Sequence, residues 1–228
     1  MAIRETPIIN GEYYHLYNRG NSKQAIFFDD EDYDRFTKLL FICNSRKSIN
    51  FRTDLVERRT DAWEFDRGEP IVSICSWVLM SNHFHLYLKA GNENDDKNMA
   101  ILFMHKIGTA YVKYLNAKYE RTGSLFEGKF KSVHITNDNQ ARYLFSYIHL
   151  NPVKLIQSDW KEKGIKDKVK AFNYAVNFKH SSLQDWLGPA RKENLILNKQ
   201  ILNNILPENF SPHEDIFQWL SYRGEEIF

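Results

Sequence analysis

Apolar and polar residues alternate with two different periods along this chain, and the switches between them mark the elements. Residues 11–20, GEYYHLYNRG, alternate and are rich in tyrosine, which predicts a strand ending at a glycine turn. The run DDEDYDRFTKLLFICNSRK starts with acids, which suit a helix N-terminus. It continues with Tyr33, Phe36, Leu39, Leu40 and Cys43 at helical spacing, so a helix is expected there. Residues 44–70 are charged and weakly periodic and read as an irregular insert. Ile71 to Met80 is β-branched and aromatic, and the short Ser81-Asn82 break before HFHLYLK makes the two runs a hairpin. A long amphipathic helix is expected from about Asp95 to Tyr119. Its apolar stripe holds Met99, Leu102, Phe103, Ile107, Ala110, Tyr111, Tyr114 and Leu115.

RTGSLFEGKFKSVHI then reads as a turn and a strand, with Glu127, Lys129 and Lys131 alternating against Phe126, Gly128 and Phe130, so that both lysines share a face. TNDNQARYLFSYIHLNP carries an N-cap candidate at Thr136 or Asn137 and ends its helix at Pro152. The order β-α-β-β-α-β-α predicts an α+β fold: a ferredoxin-like split βαβ antiparallel sheet backed by helices, with one additional helix. Beyond about residue 160 come a Lys-rich stretch, an aromatic segment with Trp186, and short helical signals at 195–206 and Pro212–Tyr222. The expected division is residues 1–160, with the insert near 44–70, and a helical C-terminal appendage over 161–228, which Trp186 and Trp219 anchor.

Composition adds limits. The 228 residues are 43% hydrophobic and 14% aromatic, a globular balance with enough chain for one good-sized core. No apolar run approaches the roughly 18 residues a membrane span needs, and MAIRETPIINGEYY lacks a signal-peptide core, so a cytoplasmic location is expected. Cys43 and Cys75 have no metal-knuckle spacing and read as reduced, buried thiols. The net charge of +2 is unevenly spread: residues 101–170 hold 13 Lys and Arg against 6 Asp and Glu. Such a segment is either a phosphate-facing surface or a solvated helix face.

The unusual chemistry lies in VLMSNHFHLYLKA. His83 and His85 stand two apart on a strand, hence on one face, which is metal-ligand geometry. Alone, the pair is weak: it also occurs in buried cores, in all-β cupins and in amidohydrolase barrels, although this chain's helices and length argue against the last two. The helix YLFSYIHLNP adds Tyr147 and Asn151, four residues apart and so on one helical face. An Asn oxygen suits a hard divalent cation already held by two imidazoles, and a phenol one turn away would lie beside it. Tyrosine can serve as a nucleophile towards phosphorus, conserving the energy of the broken bond in a covalent phosphodiester.

The runs YHLYNRGNSKQAIF, VLMSNHFHLYLK, FEGKFKSVHI and YIHLNPVK resemble those of the single-tyrosine HUH transposases, in particular the REP-associated tyrosine transposases. The likeness spans residues 11–157 in the family's order, with Tyr147 standing 62 positions after His85. It implies a Mg²⁺- or Mn²⁺-dependent single-strand DNA endonuclease and strand transferase acting at hairpin-forming DNA through a 5′-phosphotyrosine. His83, His85 and Asn151 would be its metal ligands and Tyr147 its nucleophile. Arg19, Lys129, Lys131, Tyr14 and Tyr17 are candidates for phosphate contact and base stacking. Ser81 departs from the family's usual proline in the turn, a matter of hairpin stiffness more than chemistry. Whether the site forms within one chain or across a homodimer stays open.

Tyr143, one turn before Tyr147, lacks a ligand at its own i+4 position, and His149 points elsewhere on the helix, towards packing or DNA. His15 either lines the DNA face or is a satisfied structural histidine. Two other functions stand beside the transposase reading: a hairpin-DNA-binding protein that does not cleave, and a metal-dependent hydrolase of small phosphoesters, whose turnover would survive Tyr147→Phe.

Overall fold

The computed structural model describes residues 7–50 and 52–221. Its four strands are β1 (Tyr13–Arg19), β2 (Val72–Met80), β3 (His83–Ala90) and β4 (Lys131–Ile135). They form one antiparallel sheet in the order β2-β3-β1-β4. With α1 (Asp30–Ile42) between β1 and β2, and α2 (Met99–Lys118) between β3 and β4, this is the expected split βαβ arrangement.

Local signals explain the boundaries. Asp29 caps α1 by accepting from the Asp32 amide, and Asp30, Glu31 and Asp32 fill the positive first turn. Asn98 caps α2, which therefore starts at Met99, four residues later than the acidic run suggested. Asn137, not Thr136, caps α3 (Asp138–Leu150), and the chain turns at Asn151-Pro152 as expected. The fourth strand is shorter than its alternation implied. Gly128 sits at φ 155° and pairing begins only at Lys131, so Lys129 lies before the strand and the shared-face argument for the two lysines fails there.

Alternation along β1 and β3 sends their side chains into two cores. Tyr14, Leu16, Phe84, Leu86 and Leu88 face α1 and α2, where Phe36, Leu40, Phe103, Ile107 and Tyr111 are buried. Burying each such side chain contributes about 1.5–3 kcal/mol. The opposite face carries Tyr13 and Tyr87 and packs against α3 through Leu144, Phe145 and Ile148.

Residues after 160 complete this second core. The short helices α4 (Trp160–Lys163), α5 (Lys168–Val176), α6 (Leu183–Leu187) and α7 (Pro212–Trp219) contribute Ala171, Ala175, Leu183 and Ile216 to it. Tyr222, the last residue of the expected final helix, lies outside the described residues. The same segment covers the outer edge of β2: Leu79 N donates to His180 O, Ser182 N to Trp77 O and Asn198 N to Ile74 O. Its backbone thereby satisfies a sheet edge that would otherwise invite pairing with another chain. Trp186 packs edge-on against Phe145 and Trp219 against Tyr143, the anchoring expected of both. Cys43 and Cys75 are free and buried.

Candidate functional site

The site forms where the start of β3, the end of β1 and the end of α3 meet. The register pairs Tyr17 with His85 and Arg19 with His83, so His15, Tyr17 and Arg19 share the face of the two candidate ligands. The His83 and His85 rings stand edge to face at 5.0 Å. From α3, the Tyr147 ring meets His85 at 5.5 Å and His15 at 6.0 Å. The phenol and the imidazoles of this arrangement belong to one chain.

The hairpin presenting the histidines is fixed from outside. Ser81 O accepts from the amides of Ile26 and Phe27, and Gly20 N donates to Asn82 O. Those bonds supply stiffness to a turn without proline. Gly20 is required at its position, since a Cβ there would run into the Gln24 carbonyl oxygen.

Asn151 is 2% exposed, and its Oδ1 is buried without a hydrogen bond among the described residues. That oxygen lies near enough to His83 to favour the protonated ring, without the geometry of a hydrogen bond. A buried, unpaired carbonyl oxygen costs about 1–3 kcal/mol and fits a ligand waiting for a cation. Burial lowers the His83 pKa; Asn151 pulls it back up, and the charges of Lys154 and Arg19 lower it again. His15, 6% exposed, is driven by burial to about 3. Both rings are thus neutral near pH 7, which for the candidate ligand His83 is the state in which imidazole binds metal. Among the described residues no three His, Cys, Asp or Glu side chains gather as metal ligands, and the buried Asn151 oxygen is a further donor atom beside His83. Two imidazoles and an amide oxygen make a mixed nitrogen and oxygen donor set for a divalent cation.

Beside these residues Tyr17, Asn18, Arg19, Glu127, Gly128, Lys129 and Lys131 line a cleft of about 280 Å³. Arg19 is gripped by Glu127 through Nε and Nη2, the latter at 2.9 Å, and a phosphate would compete with that carboxylate. Tyr17 lies against His15 and His85, at 4.8 and 5.6 Å between rings.

Tyr14 is a correction. It is 1% exposed on the opposite face, stacked on His134 with its hydroxyl accepting from Ile9 N, and no base can reach it. His149 is fully buried and bonds Ser182 Oγ at 2.8 Å, a packing role. Tyr143, 8% exposed, stacks on Tyr147 and meets Trp219 edge-on. Sequence reasoning did not single out Asn82, whose Oδ1 lies 2.6 Å from His83 Nδ1, or Lys154, whose charge acts on the same ring.

An antiparallel ferredoxin-like sheet, with paired histidines on a central strand facing a tyrosine-bearing helix, defines the class of fold. Among solved structures, this chain is similar to the REP-associated tyrosine transposase bound to a REP hairpin, at 14% identity over 92% of each chain and a TM-score of 0.51. A protein named as a candidate transposase from Deinococcus radiodurans aligns over 62% of this chain and 92% of its own at 12% identity; its TM-score of 0.34 carries no argument. No family model and no curated protein matches the chain. The likeness establishes the fold, and the chemistry rests on the residues. Among the described residues no helix is long and apolar enough to cross a membrane.

Proposed function

We propose that this protein is a metal-dependent single-strand DNA endonuclease and strand transferase, transposase-like, acting at hairpin-forming DNA through a 5′-phosphotyrosine. The observation that carries the reading is the convergence, within one chain, of the Tyr147 ring 5.5 Å from His85 and the unpaired Asn151 oxygen beside His83. The fold neighbour's complex with a REP hairpin supports the substrate class.

His83, His85 and Asn151 would hold Mg²⁺ or Mn²⁺, which when bound polarises the scissile phosphate and offsets developing charge. Tyr147 Oη forms a bond to phosphorus while the bond from phosphorus to the 3′-oxygen breaks. The phenol loses a proton and the departing oxygen ends as a 3′-hydroxyl, leaving the 5′-phosphate on tyrosine. Attack by a second strand's 3′-hydroxyl reverses these changes and rejoins DNA. Position on α3, packed through Phe145 and Ile148, holds the phenol at the ligands, and Arg19, Lys129 and Lys131 lie where the strand's phosphates would pass.

The test is a fluorescent hairpin with a single-stranded flank, incubated with Mn²⁺ or Mg²⁺. A covalent protein–DNA band that Tyr147→Phe abolishes is expected. Binding without any band would instead establish a non-cleaving hairpin-binding protein.

A further inference from the structure

Both candidate metal-binding imidazoles have the ring nitrogen nearer the backbone engaged by a neighbour. His83 Nδ1 lies 2.6 Å from Asn82 Oδ1. An amide oxygen only accepts, so His83 Nδ1 carries the proton and Nε2 carries the lone pair. His85 Nδ1 lies 2.8 Å from His15 Nε2, between stacked rings 5.0 Å apart. Coordination through His85 Nε2 requires that Nδ1 donate and His15 Nε2 accept. Both neighbours come from elements whose places are set independently. Asn82 closes the hairpin and donates from Nδ2 to Lys23 O at 3.1 Å; His15 sits mid-strand in β1, its ring flanked by Tyr17 and Tyr147.

We propose that His15 and Asn82 are positioning residues that lock His85 and His83 in the Nδ1–H tautomer, so that both Nε2 lone pairs are presented to one cation. This rests on the metal site of the proposed function and adds residues to it that touch neither cation nor DNA. A ligand imidazole held by such a partner loses rotational freedom and gains basicity, and losing the partner typically weakens metal binding 10–100-fold.

The experiment uses the full chain without DNA. Long-range ¹H–¹⁵N spectra of the metal-free protein near neutral pH should show both His83 and His85 protonated at Nδ1. Mn²⁺ titration by calorimetry should show affinity falling about 10–100-fold in His15→Phe, which keeps an aromatic ring in the stack, and in Asn82→Ala. Asn82→Asp, which retains the accepting oxygen but loses the amide bond to Lys23, should restore Mn²⁺ binding. Thermal melting of each variant separates loss of tautomer control from loss of folding. An Nε2–H tautomer at either ligand, or His15→Phe binding Mn²⁺ as tightly as the parent, would overturn the inference. If the parent itself binds no Mn²⁺, the metal reading beneath it fails and the inference falls with it.

Discussion

Replacing Asn151 with leucine separates what this residue does for the fold from what it does for the site. Asn151 is 2% exposed, and its Oδ1 has no hydrogen bond among the described residues. Leucine has the same branching and number of side-chain heavy atoms and removes the stranded oxygen, so the metal-free protein should gain about 1–2 kcal/mol. In a chain of this size 1 kcal/mol moves Tm by about 2–4 °C, which places the rise at about 2–8 °C. With Mn²⁺ at 100 times its Kd, the parent should gain about 2.7 kcal/mol, roughly 5–11 °C, and the variant should gain nothing. Scanning calorimetry on both proteins, with and without Mn²⁺, reads all four values. A metal-free variant that melts lower than the parent would mean that the oxygen has a structural partner. A variant that keeps the full Mn²⁺ shift would remove Asn151 from the ligand set, and either result refutes the reasoning.

Glu127→Gln releases Arg19 from its carboxylate; hairpin affinity should rise at low salt and the slope of log K against log salt should steepen by about 0.9, whereas Lys131→Ala should flatten it. Fluorescence anisotropy across a salt series reads both, and an unchanged slope in Glu127→Gln would place Arg19 away from the DNA. Phe145→Ala removes a fully buried ring that packs against Trp186 and Phe210. It should cost about 3–5 kcal/mol in urea denaturation, and a cost below about 1 would contradict the packing between α3 and the C-terminal residues. His180 stacks on Tyr33 at 3.8 Å beside Asp30, and burial lowers its pKa to about 4. The folded state therefore favours the neutral ring, so stability is full above the ordinary value of 6.5 and is lost as pH falls towards about 4. After discount for its solvent-facing edge the loss should be about 2 kcal/mol. His180→Gln should lack that increment in urea denaturation at stepped pH, and a parent-like slope would contradict it.

Much of the fold was legible because its signals are local. Two periods, polar residues at helix starts and the Ser81-Asn82 break mark the strands and long helices. His83, His85, Tyr147 and Asn151 stand at spacings that strand and helix periods turn into shared faces. Where the reading failed, a local rule was overridden or left unapplied. Tyr14 and Tyr17 are three residues apart along a strand and so face opposite ways, and burial follows that parity. Alternation of residue type carries the expected strand through Lys129, but the backbone at Gly128 interrupts it. Residues 44–70 read as an insert, yet Asn44 and Ser45 are buried, and the Asn44 side chain bonds the backbone of Ile71 and Val72. Contacts between distant segments carry no such signal: the cover over β2 by residues 180–182 and 198, and the approach of His15 to His85, depend on pairings 70 or more residues apart.

The proposed chemistry requires one cation held by two strand imidazoles and a helix-end amide, with a phenol beside it. Anomalous diffraction from crystals grown with Mn²⁺ tests it most directly. A single strong peak is expected within bonding distance of His83 Nε2, His85 Nε2 and Asn151 Oδ1, next to the Tyr147 ring. A peak elsewhere, or an empty site at saturating Mn²⁺, would contradict it.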